Sequence, residues 1–316
     1  MPNKTRFLRV FAAGATGLLL AAPAAAEFPE KGLNLIVAYG AGGGTDITAR
    51  MLARDLESTL GRSVTVQNVT GGGGWNGWGQ IANSEADGYT IGYINIPNMY
   101  AGYLSPEAVR DEDLDSFTLL MNHVTDYCIW AVRPDSPFQT ISDVMDAAAE
   151  GRVSITAHGF GGDEYLAIRR MQNIQDGTFN IVHNDSTATS ITQVLGGHVQ
   201  VLGANVSEVA SMHENGELRV LGVMSPERSP FLPDVPTFRE QGFDQVWSVS
   251  RGIAAPGGLP DDIAAKLIEA LETTIGSAEH RAAAEGLSLA PEIVKGVEYQ
   301  SFLVETEQEI KRLMNW

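Results

Sequence analysis

The chain has 316 residues, and its 39 acidic against 21 basic side chains give a net charge of −18 at pH 7. So acidic a chain argues against nucleic acid as a partner, because it offers no field to neutralise a phosphate backbone. Its single cysteine, Cys128, excludes an intrachain disulfide, and we expect it to be a buried small hydrophobe rather than a reactive thiol.

The first 26 residues have the pattern of an export signal. Three basic residues precede an apolar stretch at 10–22, and the small residues Ala24 and Ala26 follow it. The apolar stretch is shorter than the roughly 20 residues of a membrane span. We therefore predict a Sec-type signal peptide over 1–26, cleavage before Glu27 and a periplasmic mature protein. The remainder carries 18 basic and 39 acidic residues, a net charge of −21, and is long enough for two domains.

From Leu33 the chain repeats a strand, a glycine turn and an amphipathic helix, which is typical of α/β layering with a largely parallel sheet. The first unit predicts an apolar strand at 33–39, a flexible turn at 40–44 and a helix at 45–60 that Gly61 ends as a C-cap. Further strands are predicted at 64–69, 89–95, 153–157, 179–184, 199–205, 218–224 and 247–255, with C-terminal helices at 260–277 and 297–313.

We expect two lobes. Residues 27–132 form the first part of lobe 1, residues 133–246 form lobe 2 as an insertion, and residues 247–316 return to lobe 1 with the C-terminal helices. This order requires two crossings between the lobes. Two lobes joined by two strands around a cleft can close about a hinge and trap a ligand near the carboxyl ends of the strands.

The loop from Gly40 to Asp46 lies where the first strand leads into the first helix. Its amides converge on the positive end of a helix dipole, which favours an anion. The glycines allow close approach of a ligand, and Thr45 could donate its hydroxyl or cap the helix. Asp46 is either a cap or dipole partner or a ligand contact.

A second glycine loop at 71–74, followed by Trp75 and Asn76, repeats this geometry one strand away. Two such loops side by side can hold one carboxylate from both flanks. The spacing of the glycines differs from a dinucleotide fingerprint, and no Gly-Lys-Ser/Thr follows either loop. A nucleotide cofactor is therefore not expected.

The residues that could support metal binding or catalysis are sparse. The six histidines show no short ligand pairing, and there is no Gly-x-Ser-x-Gly elbow, so we predict no metal site and no enzyme. A hydrolase using His158 would lack a nucleophile. His158 opens a strand–helix junction in lobe 2, where it either donates to the far end of a ligand or caps the strand before it. Asn205 ends another strand of that lobe, and for it too we consider a contact to the far end of the ligand.

Several short segments form a known pattern in their order and spacing: Leu35-Ile36-Val37, Gly42 to Asp46, Ala49-Arg50, Leu60-Gly61, Asn68, Gly71 to Gly74, Gly77, Asp87 to Thr90, Leu195 to Val199 and Pro233 to Thr237. In these segments the chain resembles the tripartite tricarboxylate transporter receptors, also called Bug receptors, over nearly its whole mature length. The resemblance implies a type II periplasmic-binding-protein fold, with two Rossmann-like lobes joined by two crossover strands around a ligand cleft. It also implies no catalysis, and a ligand carboxylate held by the two glycine loops.

The same resemblance implies partners and a ligand class. Relatives serve one large and one small integral membrane subunit, and their ligands include citrate-like acids, dicarboxylates, acidic amino acids and aromatic carboxylates. The chain departs from the family where Ala38 and Ala41 replace usual prolines, Trp75 replaces a small residue and His158 replaces a serine. The contacts to the far end of the ligand therefore cannot be copied from relatives.

The sequence thus predicts a monomeric receptor that binds a small carboxylate without a cofactor, with a receptor signalling to a membrane kinase as the alternative. Tyr39 and Trp75 could contact an aromatic ligand body, and Asp46 or Asp185 could pair with a ligand ammonium. The candidate ligand-binding residues are Tyr39, Gly40, Ala41, Gly42, Gly43, Gly44, Thr45, Asp46, Gly73, Gly74, Trp75, Asn76, His158, Gly159, Asp185 and Asn205.

Overall fold

A computed structural model describes residues 28–316, and the predicted signal peptide lies outside the described residues. The strands are β1 Leu33–Val37, β2 Val64–Asn68, β3 Thr90–Ile96, β4 Phe117–Val132, β5 Val153–His158, β6 Phe179–Asn184, β7 Leu202–Asn205, β8 Arg219–Val223, β9 Ser248–Pro256 and β10 Pro291–Lys295. The helices are α1 Gly44–Leu60, α2 Trp75–Ala82, α3 Asn98–Leu104, α4 Ile141–Ala149, α5 Asp163–Ile174, α6 Thr187–Leu195, α7 Val206–Glu214, α8 Asp261–Gly276, α9 Ala278–Glu285 and α10 Gly296–Met314.

The first strand–loop–helix unit forms as its sequence predicts. Residues of β1 alternate between two cores: Leu35 packs with Leu52 of α1, whereas Ile36 packs with Trp78 of α2. Gly61 ends α1 in the left-handed conformation with φ 62°, and its amide donates to the carbonyl of Glu57. A glycine adopts this conformation without the steric cost of a Cβ atom.

The sheet of lobe 1 has the strand order β10-β4-β9-β3-β1-β2. Strand β1 is parallel to β2 and β3, but β9 is antiparallel to both β3 and β4. The expected largely parallel sheet is therefore wrong, and the sheet is mixed. The physical reason is that the chain returns from lobe 2 through β9, which inserts between β3 and β4 in the opposite direction.

Strand β4 belongs to both lobes. Its residues 117–127 pair with β9, and its residues 128–132 pair with β7 and β8. In lobe 2 the parallel pair β5 and β6 completes the strands, and Ile155 bridges to Val201 just before β7. The paired strands β4 and β9 thus carry the chain between the lobes.

Five elements had no predicted counterpart: α3, β4, α4, α9 and β10. Helix α9 follows α8 after a break at Ser277, whose hydroxyl oxygen accepts from the amide of His280 at 3.1 Å and caps the second helix. Cys128 is 1% exposed, as expected for a small core residue, and burial raises the pKa of its thiol well above the ordinary value. Within the described residues no helix has the length and apolar character needed to cross a membrane.

Candidate ligand-binding cleft

Two adjoining chambers lie between the lobes. The inner chamber has a volume of about 30 Å³, enough for one or two waters, and the outer chamber has a volume of about 320 Å³. Residues that line both are Tyr39, Gly40, Asn98, His158, Asp185 and Ser186. Because lobe 1 and lobe 2 each supply part of the wall, opening of the lobes would expose both chambers.

Four helices begin at the inner chamber. Helix α1 begins there with Gly44 from lobe 1, and α5, α6 and α7 of lobe 2 begin there with Asp163, Thr187 and the N-cap Asn205. The positive ends of four helix dipoles therefore meet in one small space. Such an arrangement stabilises negative charge, whether it comes from a ligand or from the protein itself.

The amides of the first glycine loop already have acceptors. The Gly42 amide donates to Asp46 Oδ2 at 2.9 Å, the Gly43 amide to the Gly40 carbonyl at 3.4 Å, and the Gly44 amide to Glu208 Oε1 at 3.2 Å. The last of these contacts crosses the cleft. The Glu208 carboxylate, from α7 of lobe 2, thus lies at the helix start where we predicted a ligand carboxylate.

Asp46 does not line either chamber. It is 3% exposed and is held by Arg50 one turn along α1 and by Asn68 of β2, in addition to the Gly42 amide. Burial alone would raise the pKa of Asp46, but the hydrogen bonds from Arg50, Gly42 and Asn68 hold it below the ordinary value. This geometry favours the structural role of Asp46 at the helix start over the ligand contact.

The second glycine loop lines the outer chamber, but the two residues after it do not. Gly73 and Gly74 have positive φ angles of 64° and 102° and lie in the chamber wall. Trp75 is 3% exposed and its indole donates to the Met99 carbonyl at 3.0 Å, while exposed Asn76 donates to the Thr70 carbonyl. Helix α2 turns the Trp75 ring into the core of lobe 1, so the structure does not bring Trp75 and Asn76 to the chambers where we predicted ligand contacts.

The other candidates divide between the chambers. Gly43, Gly44, Thr45 and Asn205 line the inner chamber, and Ala41 and Gly159 line the outer one. The Thr45 hydroxyl accepts from Asn95 Nδ2 at 2.8 Å. Gly42 lines neither chamber and borders a separate surface depression instead.

A charged cluster on the lobe 2 side surrounds His158. His158 Nδ1 lies 2.7 Å from Glu164 Oε1, and its Nε2 lies 3.2 Å from the Thr187 hydroxyl, which donates to Glu208 at 2.7 Å. Burial opposes protonation of His158, but the neighbouring Glu164 carboxylate raises the pKa of the imidazole to about 10. Burial also raises the pKa of the partner Glu164, to about 7, so the pair holds at least one proton at neutral pH. One donor atom each from His158, Asp163 and Glu164 lie within 4.8 Å of one another, a spacing that could hold a metal ion.

A second ion pair lies where the crossover strands meet the cleft. Arg251 of β9 contacts Asp126 of β4 at 2.9 Å, and their side chains are 2% and 4% exposed. Burial raises the pKa of Asp126 even though Arg251 opposes this shift. Arg251 also lines the inner chamber, and its buried Nε has no hydrogen-bond partner among the described residues.

Sequence reasoning missed eight residues of the inner wall: Asn95, Asn98, Asp163, Ser186, Thr187, Glu208, Val249 and Arg251. Two of them carry a signal in the sequence. Glu208 is the third residue of α7 after the N-cap Asn205 and completes a capping box. Arg251 is a lone charge in an apolar strand, which is typical of a buried residue with a specific partner.

A sequence model described as "Tripartite tricarboxylate transporter family receptor" matches residues 48–315. The chain belongs to this family. The protein BugT of Bordetella pertussis is 30% identical to this receptor over 270 residues, which cover 81% of this chain and 80% of BugT. The family consists of solute-binding receptors, not enzymes.

Solved structures share the two-lobed fold of this receptor. A TctC solute-binding protein from Polaromonas, without ligand, is 25% identical with a TM-score of 0.70 and covers 92% of this chain and 99% of its own. MatC from Rhodopseudomonas palustris, with bound malate, is 22% identical with a TM-score of 0.81 and covers 91% of this chain and 99% of its own. The predicted fold class and the family resemblance are confirmed.

Proposed function

We propose that this receptor binds a small organic carboxylate between its lobes and delivers it to a tripartite tricarboxylate-type membrane transporter with one large and one small integral subunit. The observation that carries the proposal is the convergence of four helix starts, one from lobe 1 and three from lobe 2, on one chamber. Dipoles of this orientation favour an anion despite the acidic surface of the protein. The two-lobed family fold and the malate found in MatC support this ligand class.

In the proposed binding step, the ligand carboxylate replaces the Glu208 carboxylate at the start of α1. The Gly44 amide now donates to Glu208 Oε1, so an incoming carboxylate takes this donor as Glu208 moves away with lobe 2. The unpartnered Nε of Arg251 provides a second donor in the same chamber. Closure about β4 and β9 then brings His158 and the starts of α5, α6 and α7 against the rest of the ligand.

The proposal also includes the location, the oligomeric state and the lobe boundaries of the receptor. The receptor acts as a monomer in the periplasm after export through a signal peptide at 1–26. Its lobes follow the boundaries 27–132, 133–246 and 247–316. The crossing of β4 from one sheet to the other near residue 128 supports the first of these boundaries.

A thermal-shift screen of the purified protein tests the function. The probes are di- and tricarboxylates, aromatic carboxylates and acidic amino acids, and a ligand at 100 times its Kd should stabilise the fold by about 2.7 kcal/mol. Stabilisation by one class supports the carboxylate receptor. No stabilisation by any carboxylate, with a folded protein, would contradict it.

The substitution Gly44→Ala tests where the ligand binds. A Cβ at Gly44 would lie 2.4 Å from Arg251 Nη2 and 3.0 Å from Glu208 Oε1, so it displaces the groups that surround the donor amide. We expect carboxylate affinity to fall at least tenfold in calorimetry. The matched control is Gly79→Ala on α2, where a Cβ has no neighbour within 4 Å. Unchanged affinity in Gly44→Ala would place the ligand elsewhere.

A further inference from the structure

The lobe 2 side of the cleft carries acidic residues at its helix starts. Asp163 is the first residue of α5, Asp185 lies two residues before α6, and Glu208 is the third residue of α7. All three line the inner chamber. The positive ends of the three lobe 2 helices are thus already matched by carboxylates of the protein.

Two of these carboxylates, Asp163 and Glu208, accept hydrogen bonds from neutral groups, although a ring nitrogen of His158 lies within 4.8 Å of an Asp163 oxygen. Asp163 accepts from the side-chain amides of Asn98 at 2.9 Å and Asn205 at 3.0 Å, and Glu208 accepts from the Gly44 amide and the Thr187 hydroxyl. Among the described residues, no basic group lies within 4.0 Å of the Asp163, Asp185 or Glu208 carboxylates. The chamber's two basic side chains, Arg251 and His158, are paired with Asp126 and Glu164 instead.

Two buried amide oxygens at the inner chamber, those of Asn95 and Asn98, have no hydrogen-bond donor among the described residues. Asn98 is 7% exposed and lines both chambers, and its Nδ2 is fixed on Asp163, which leaves its Oδ1 without a hydrogen-bond partner. Asn95 is 2% exposed, and its Oδ1 in the inner wall is also unpartnered. A buried acceptor without a donor costs about 1–3 kcal/mol, so both oxygens favour a ligand that brings donors or a positive charge.

The lobe 1 side has the opposite character. Its one acidic residue at the helix start, Asp46, is turned away and paired with Arg50. What lobe 1 offers to the chamber is the start of α1 and the guanidinium of Arg251. The cleft therefore has an anion-binding half and a cation-binding half that face each other.

From this polarity we infer that the lobe 2 half of the cleft binds a positive charge held next to the ligand carboxylate, against Asp163, Glu208 and the Asn98 carbonyl oxygen. The inference rests on the proposed carboxylate receptor and specifies its ligand class. The positive charge is either an ammonium of the ligand itself or a divalent cation carried by a dicarboxylate. For the second source, Asp163 and Glu164 supply nearby carboxylate oxygens, and His158 would add a ring nitrogen once the metal displaces its proton.

A matched ligand series distinguishes these sources by calorimetry. Adipate, 6-aminohexanoate and 1,6-diaminohexane have chains of similar length and carry two, one and no carboxylates. Each is measured in the presence of EDTA, and adipate is measured again with Mn²⁺. We expect 6-aminohexanoate to bind at least tenfold more tightly than metal-free adipate if the source is an ammonium. If the source is a metal, Mn²⁺ will strengthen adipate binding at least tenfold.

The variant Glu208→Gln tests the residue directly, because glutamine preserves the capping box of α7 but removes the charge. We expect Glu208→Gln to lower the affinity for the preferred cationic partner at least tenfold and to raise the affinity for metal-free adipate. Exposed Asp185→Asn, which leaves every described hydrogen bond intact, should shift both affinities in the same directions by about threefold. Glu214→Gln, at the exposed end of the same helix, is the control and should change neither.

The outcomes separate this inference from the function on which it rests. Metal-free adipate that binds most tightly of all, with no change in Glu208→Gln, overturns the inference and leaves the carboxylate receptor intact. Binding of the diamine alone supports the cation-binding half and contradicts the carboxylate receptor. Failure of all three ligands to bind, with and without Mn²⁺, overturns the inference as well.

Discussion

Two buried polar clusters of this receptor differ in how completely their groups are satisfied. The cleft cluster consists of His158, Asp163, Glu164, Glu208 and Arg251. The rear chain consists of Tyr93, His123, His280 and Asp55 and lies inside lobe 1, behind α1.

In the rear chain one proton arrangement satisfies every member. Tyr93 donates to His123 Nδ1 at 2.6 Å, His123 Nε2 donates to His280 at 2.8 Å, and His280 Nδ1 donates to Asp55 at 2.7 Å. Each histidine carries one proton, so neither is charged. Burial is the main cause that lowers the pKa of both rings, more strongly for His123, since Asp55 opposes the shift for His280.

The cleft cluster has no such closed arrangement. Arg251 Nε and the side-chain oxygens of Asn95 and Asn98 have no hydrogen-bond partner within residues 28–316, and Glu208 accepts from a donor of the other lobe. A complete network stabilises a single structure, whereas an incomplete one leaves groups that a ligand can satisfy. Of these two clusters, the incompletely satisfied one is therefore the one that a ligand can complete.

The largest expected loss of stability comes from breaking the ion pair between Arg251 and Asp126 beside the cleft. Arg251→Gln leaves Asp126 as a buried carboxylate without its cation, and we expect a loss of about 3–5 kcal/mol in the free energy of unfolding by urea. The double variant Arg251→Gln with Asp126→Asn should recover part of the loss. The control Arg239→Gln breaks an exposed pair with Asp244 and should cost less than about 1 kcal/mol. A loss in the double variant equal to the sum of both single losses would show that the pair is not coupled.

The rear chain should give a smaller effect with a distinct pH dependence. His123→Gln interrupts the chain, and we expect a loss of about 1–3 kcal/mol at pH 7. In the native protein, unfolding exposes histidines that bind protons near pH 6.5 whereas the folded state excludes them, so stability falls as pH drops below 6.5. Urea titrations between pH 5 and 7.5 should show a shallower acid loss in His123→Gln. Exposed His198→Gln should keep the native slope, and equal slopes in both variants would contradict the assignment.

The smallest effect concerns His158 in the cleft cluster. We expect its contribution to stability to change with pH in the direction opposite to that of the rear chain. Its raised pKa means that the folded state keeps a proton which the unfolded state loses above pH 6.5. The stabilisation is complete below pH 6.5 and declines as pH rises toward about 10. Glu164, whose pKa burial raises to about 7, adds to the decline near neutral pH, and we expect the decline to be smaller than the two losses above. In His158→Gln the decline between pH 6.5 and 9.5 should be reduced, and an unchanged alkaline slope would contradict the shift.

The sequence predicted those parts of the fold and the cleft that depend on local pattern. The glycine loops, α1 with its cap at Gly61 and the strands other than β4 and β10 follow from residues that are close in the chain. The roles of Asp46 and Trp75 depended on distant partners: Asn68 lies on another strand, and a Cβ at Gly102 would lie 1.8 Å from Trp75 Nε1. Such a close approach of helix α3 leaves the indole buried, and no local pattern reveals it.

The inner wall shows the same limit. Glu208 and Gly44 are 164 residues apart, and Arg251 meets Asp126 only because β9 returns beside β4. Contacts of this kind arise from the mixed sheet, whose strand directions sequence periodicity did not reveal. Most candidate residues from both lobes line the cleft, but the sequence did not reveal the charged residues Asp163, Glu208 and Arg251 that give the cleft its polarity.

Strand β4 runs unbroken for 16 residues and is hydrogen-bonded into the sheets of both lobes. A continuous strand resists stretching far more than it resists twisting, so we expect the lobes to rotate about it rather than slide apart. Ligands of different length would then set different angles between the lobes at nearly constant spacing along the strand. A membrane partner that contacts both lobes would then distinguish ligands by the angle between the lobes.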